Sequence, residues 1–412
     1  MKACIETTAS APPLPGAEET RAIPRLLQGV DRQERVGEIV ASLEESARNH
    51  LVVYMEERME KMLSIGASDM DLGGEGCAHR IWYRVAGRKV ADMEGPVLSF
   101  EDGDLLIHSL LTEKQQGHLL SERNVDFSYT LELDGVRHRL RADAYFDLGH
   151  LALNMRLIPG GIRPLQELGF HFRAMERFNI QREKRGLVLV TGITGSGKSS
   201  TLDSIVDANN RIADSHVTII ASPIETIHEP RRCIIRHREV GRDVRSFKEG
   251  TVQALRQDPD IVVIGEMRDP DTIMTALEIT DSGHKVFSTL HTSSAAESVD
   301  RIIGEVPAVE QERVRLRLGD VLSCVVSQKL VPVIGGGRVL AKEVLVVTSS
   351  VRAAIKNNNI GEVYQMIMES RDDGMITLEQ DLHRLVGVGR IRPEVARDFA
   401  NNKRRMEALL NG

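Results

Sequence analysis

The residues Gly192-Ile193-Thr194-Gly195-Ser196-Gly197-Lys198-Ser199 satisfy the phosphate-binding pattern G-x-x-x-x-G-K-[ST] at every fixed position. Glycines at these places let the backbone curl so that successive N–H groups face a phosphate chain at the positive end of a helix. Lys198 is expected to reach the β- and γ-phosphates and the Ser199 hydroxyl to ligate Mg²⁺, with Ser200 beside it in the nucleotide-binding set. The flanks agree with this reading. An apolar run, Leu187-Val188-Leu189-Val190, leads into the loop, and Leu202, Ile205 and Val206 follow at helical spacing. The chemistry expected is binding of a nucleoside triphosphate.

Phosphoryl transfer further needs a metal, a group that positions the attacking water, and positive charge on the transition state. The apolar strand-like run Ile261–Ile264 ends in Gly265-Glu266, an acid at the carboxyl edge of a sheet, where a Mg²⁺-holding carboxylate belongs. A second run, Val217–Ile220, leads to Ala221-Ser222-Pro223-Ile224-Glu225. Glu225 suits either of two roles, orienting water or sitting in a loop paired with an arginine. His284 and His291 flank a third run, Val286–Leu290. Their spacing does not suit a helix-borne metal pair, which leaves a structural role or a γ-phosphate-sensing one.

These residues must be held by elements that the rest of the chain predicts. With 412 residues, 41% apolar and 27% charged, the sequence has room for two or three ordinary domains. A net charge of −7 gives no general reason to expect a nucleic-acid partner. The four cysteines, Cys4, Cys77, Cys233 and Cys324, lack metal-ligand spacing and read as free thiols of a reducing compartment. No apolar stretch approaches the roughly 20 residues that span a bilayer, so membrane association is expected only through a partner. Residues 1–38 read as a flexible N-terminal extension, a tail that ends at most in a short helix. A helical pattern over 39–65 and strand-like runs at 81–85 and 127–133 predict a small α/β domain with an antiparallel sheet over 39–157. Pro159-Gly160-Gly161 and Pro164 mark a hinge linker at 158–164. From 165 to 350, strands alternate with helices as in a parallel α/β sheet, and 351–412 reads as C-terminal helices.

One further set of motifs occurs in a fixed order over about residues 60–400. Gly66-Ala67-Ser68-Asp69, the loop 192–199 and Pro223-Ile224-Glu225 are followed by Arg238-Glu239-Val240 and Asp258-Pro259-Asp260. Then come Gly265-Glu266-Met267-Arg268-Asp269, Gly283-His284, Thr289-Leu290-His291-Thr292 and Gly335-Gly336-Gly337-Arg338-Val339. In this series the chain resembles the type II/IV secretion and pilus ATPases, most closely their twitching-motility retraction branch. The resemblance implies an α/β fold with a RecA-like P-loop core, a PAS-like N-terminal domain before it and helices after it. It implies a homo-hexameric motor that binds ATP and Mg²⁺ between the two domains. By position, Glu225 matches the catalytic glutamate, Glu266 the Walker B glutamate and Mg²⁺ acid, and Lys198 the phosphate-loop lysine. His284 and His291 fall in the family's His box, and Arg141 and Arg156 match arginines that reach the phosphates. The partner implied is an inner-membrane pilus platform protein, with a cytoplasmic location at the membrane, no nucleic acid and no direct insertion.

Two departures from the family pattern stand out. Ala221-Ser222 occupies the place of a Glu-Asp pair, and Asp71 the place of a histidine. The absence of paired C-x-x-C elements favours retraction over assembly. A type IVB secretion or conjugation ATPase, or a weakly hydrolysing accessory subunit, stays open as an alternative.

Overall fold

The computed structural model describes residues 13–158 and 160–411. Pro159 of the expected linker and residues 1–12 of the expected extension lie outside the described residues. The chain divides into two compact units, 1–160 and 161–412.

The first unit is built on six strands, β1 (Ala67–Gly73), β2 (Trp82–Val85), β3 (Arg88–Ala91), β4 (Asn124–Leu133), β5 (Val136–Asp147) and β6 (His150–Leu157). They pair antiparallel in the order β3-β2-β1-β6-β5-β4. Side chains alternate across a strand, and β4 accordingly buries Val125, Phe127 and Leu131 on one face. Leu51, Met55, Met59 and Met62, three or four positions apart on helix Glu45–Ser64, join them in one core.

Here the structure departs from the expected extension. Helix Ala17–Arg21 lies within it and helix Gly29–Ser42 runs across its expected end at 38, and Ile23, Val36, Ile39 and Val40 bury against Leu105. Gly16 and Gly29, both at positive φ, and Pro24 break the segment into short pieces, which weakens its helical periodicity in the sequence.

The second unit is a sheet of seven strands, β7 (Gly186–Thr191), β8 (His216–Ala221), β9 (Ile234–Glu239), β10 (Ile261–Ile264), β11 (Lys285–Leu290), β12 (Leu322–Pro332) and β13 (Arg338–Val346). Their order is β13-β12-β7-β11-β10-β8-β9. All pairs are parallel except β12 with β13, a hairpin turned by Gly335, Gly336 and Gly337 at positive φ. Helices cover both faces of such a sheet, and every residue of β7, β10 and β11 is buried.

The C-terminal helices also divide differently from the expected boundary at 351. Val351, Ile355, Val363 and Ile367, on helices Ser349–Lys356 and Val363–Glu369, belong to the core of the parallel sheet. Only helices from Leu378 onward form a separate cluster, in which Leu382, Leu385, Ala396 and Met406 pack with Val331 and Ala341 of the hairpin. No helix among the described residues is long and apolar enough to cross a membrane.

Candidate nucleotide site

Parallel strands bring their carboxyl ends to one edge of the sheet, the edge where α/β folds bind ligands. β7 ends there in the loop 192–197, β11 in His291, β10 in Gly265-Glu266, and β8 in the segment that carries Glu225. The adjacency β7-β11-β10-β8 sets these four ends side by side.

The loop has the shape its sequence predicts. Gly192, Gly195 and Gly197 all take positive φ. A Cβ on Gly192 would come within 2.4 Å of Ser196 Oγ and 2.5 Å of the Gln328 carbonyl. Helix Lys198–Ile212 starts from Gly197 with no side-chain cap, so its first N–H groups are left for another acceptor. Ser196 Oγ is buried and has no hydrogen-bond partner among the described residues. Uncapped amides, a bare buried hydroxyl and an adjacent ammonium together fit a phosphate chain. We expect Gly192→Ala to abolish ADP binding in equilibrium titration and to destabilise the unit. Forcing a non-glycine residue to such φ costs about 1–3 kcal/mol even before the overlap is relieved.

Lys198 Nζ donates to the carbonyls of Gly192 at 2.9 Å and Ile193 at 3.3 Å. Burial pulls its pKa below the ordinary lysine value, while Glu266 and Glu225 push it back up. Lys198 therefore lies in the field of both carboxylates. Glu266 is mostly buried and pairs with Arg268 Nε at 2.7 Å. Thr289 Oγ1 donates to the Gly265 carbonyl at 2.6 Å, and the Met267 amide to Thr289 O at 3.1 Å, so the backbone on both sides of Glu266 is fixed to β11. His291 Nε2 lies 3.8 Å from Glu266. Burial, and next the Lys198 charge, lower its pKa and so favour the neutral imidazole, against the opposing pull of Glu266. Ser199 and Ser200 are exposed on the first turn of the helix. The oxygen donors of Ser199 and Glu266 suit a hard cation that takes its remaining ligands from phosphate and water. Among the described residues no cluster of three His, Cys, Asp or Glu side chains forms a metal site by itself.

Glu225 is half-buried, and no hydrogen bond or ion pair within the described residues engages its carboxylate. No arginine satisfies it there. Its segment opens with the cis peptide Ser222–Pro223.

The structure does not bring His284 to this edge. It precedes Lys285, the first residue of β11, whereas His291 follows the last. The two histidines sit roughly 20 Å apart along the strand, at about 3.3 Å per residue. His284 Nδ1 lies 2.9 Å from Ser282 Oγ and 3.1 Å from the Ile279 carbonyl, closing the end of helix Pro270–Asp281. Arg141 and Arg156 belong to the first unit, directly opposite one another on β5 and β6. Arg156 Nε donates to Asp69 at 2.8 Å, and Arg141 lies 3.2 Å from Asp126.

Gln328 of β12 was not legible as part of the site. Its Nε2 donates to the Ser196 carbonyl at 2.8 Å, and its Oε1 accepts from Thr201 Oγ1 at 3.0 Å. Both bonds are buried, so a side chain far along the sequence holds the loop to its own helix. The one available signal was a Gln inside the otherwise strand-like run Cys324–Val331.

Glu343 of β13 supports the segment after His291. It is 2% exposed and accepts the amide of Ala295, the first residue of helix Ala295–Gly304, at 2.7 Å. Burial raises its pKa from 4.5 to about 7. The unfolded chain therefore loses this proton first as pH rises. The stabilisation is complete below pH 4.5 and is lost as pH climbs to about 7, a loss of about 3 kcal/mol. We expect Glu343→Gln, which keeps the acceptor and cannot ionise, to flatten that part of the curve in denaturant melts.

The chain is similar to several known proteins. Residues 148–336 match the family described as Type II/IV secretion system protein. The type IV pilus retraction ATPase PilT of Pseudomonas aeruginosa is 39% identical over 81% of this chain and 94% of its own length. A twitching motility protein of Neisseria gonorrhoeae is 39% identical over 76% of this chain and 82% of its own. The crystal structure of the pilus retraction motor PilT with bound ADP superposes with a TM-score of 0.76 at 34% identity, covering 86% of this chain and 98% of that one.

Proposed function

We propose, from the premise that this chain belongs to the PilT branch of the type II/IV secretion ATPases, that it is a motor ATPase that retracts type IV pili. The carrying observation is the meeting of Lys198, Glu225, Glu266 and His291 at one sheet edge, with Lys198 in the field of both glutamates.

In this reading Lys198 leaves the two loop carbonyls for the β- and γ-phosphates of ATP, and the uncapped amides at the head of its helix hold the same chain. Glu225, with no hydrogen-bond or ion-pair partner among the described residues, orients the attacking water and accepts its proton. Ser199 and Glu266 would hold Mg²⁺, which supplies charge neutralisation on the phosphates. Neutral His291 accepts or donates a hydrogen bond beside Glu266 and so responds to what Glu266 holds. Arg141 and Arg156, held by Asp126 and Asp69 within the first unit, are the arginines that the family resemblance assigns to the phosphates, charge of a kind worth roughly 10³–10⁵ in rate. The segment 158–164 serves as the hinge, and closures around a homo-hexamer pull on an inner-membrane platform protein.

The test is to delete the gene and observe the pili. Abundant, static surface pili are expected, with motility restored by wild-type chain and not by Lys198→Ala. Pili that still retract at normal frequency would overturn the retraction role.

A further inference from the structure

The segment that carries Glu225 is tied to the phosphate-loop helix by a side chain that the site above does not use. Asp203 stands four residues after Ser199, on the same face of helix Lys198–Ile212. Thr226 Oγ1 donates to Asp203 Oδ2 at 2.8 Å, and His228 Nε2 donates to Asp203 Oδ1 at 3.1 Å. His228 is 2% exposed, and its main-chain N–H donates to His237 Nε2 of β9 at 3.0 Å. The two imidazoles stack 13° from parallel. On the other side of Glu225, the Ile224 amide donates to Glu239 Oε2 at 3.0 Å. Residues before and after Glu225 are thus fixed, while its own carboxylate is left to other work. Ala221 and Ser222 contribute no acid to this segment; the carboxylates that hold it are Asp203 and Glu239.

The two holds differ in what they follow. Glu239 ends a sheet strand, whereas Asp203 rides on the helix whose first turn meets the phosphates. A bidentate carboxylate that accepts from half-buried Thr226 and buried His228 leaves neither donor unpaired, and losing it strands both. Nδ1 of His228 is also buried with no partner among the described residues. The ring therefore cannot switch tautomer without losing its bond to Asp203.

We propose that Asp203 is a positioning residue for hydrolysis, fixing Glu225 against nucleotide bound at the head of its own helix by holding Thr226 and His228. The inference rests on the ATPase reading given above. In the full chain, Asp203→Ala and Thr226→Val are expected to lower kcat about tenfold to hundredfold, as for a misplacement near 1 Å. KM for ATP and ADP affinity should stay within about twofold. Thr226→Ser, which keeps the hydroxyl, should recover most of the loss. Hydrogen exchange at the amides of 224–228 should quicken in Asp203→Ala. A wild-type kcat in both variants would overturn the proposal, as would an equal loss of ADP affinity, which marks a merely structural support. If the wild-type chain turns over no faster than Glu225→Gln, the ATPase reading itself has failed. Exchange then decides alone: faster exchange at 224–228 upholds the hold by Asp203, and unchanged protection removes it.

Discussion

Glu225→Gln is expected to lower kcat for ATP hydrolysis about 10²–10⁴-fold, the usual worth of a positioned proton acceptor. The carboxamide keeps the shape of the side chain and removes its ability to take a proton from water. Because no hydrogen bond or ion pair within the described residues uses the carboxylate, the substitution breaks nothing in the fold. ADP affinity should therefore be unchanged, or slightly higher, since one negative charge near the phosphates is gone. Single-turnover kinetics beside equilibrium ADP titration separates the two effects. A variant that loses ADP affinity and kcat in the same proportion would show that Glu225 holds the loop and does not act on water.

Lys198→Ala is expected to cost about 10²–10³-fold in kcat/KM, as for removal of a donor aimed at developing phosphate charge. Its signature should differ from that of Glu225→Gln. Lys198 supplies the positive charge that acts on both Glu225 and Glu266, so without it an anionic ligand meets two carboxylates offset only by the Arg268 paired with Glu266 among the described residues. Binding itself should fail. Without nucleotide the half-buried ammonium is desolvated and, among the described residues, donates to the two loop carbonyls, so the variant should melt close to wild type. What should vanish is the rise in melting temperature on adding ADP, which measures binding to the folded state alone. A preserved rise would place the phosphates elsewhere.

The phosphate loop was legible because its strand, turn and helix are consecutive in the chain, so its geometry is written locally. Glu266 and Glu225 were legible as acids just past apolar runs, since a buried parallel strand delivers whatever follows it to the ligand edge. The same logic explains His284. A strand has two ends, and a residue before β11 must fall at the far edge, whichever motif it shares with His291. Gln328 and Asp203 were out of reach for another reason. Each is a polar residue inside a regular element, and its meaning comes from a partner that only the folded sheet brings close. The helices before residue 43 were hidden by glycine and proline breaks, and they owe their stability to packing on Leu105 more than to their own periodicity.

Strand β7 lies between β11 and β12, both of which come later in the chain. Gln328, which holds the phosphate loop to its helix, follows Ser196 by 132 residues. At about 5–20 residues per second, a ribosome needs on the order of ten seconds to make that stretch. Until β11 is made the strand has both edges open, and until β12 follows one edge stays open and the loop has no wall. The emerging chain therefore has a long interval in which nucleotide cannot rescue it and self-association can claim it. Any fragment that stops short of β12 inherits that condition permanently, however intact its phosphate-loop motif.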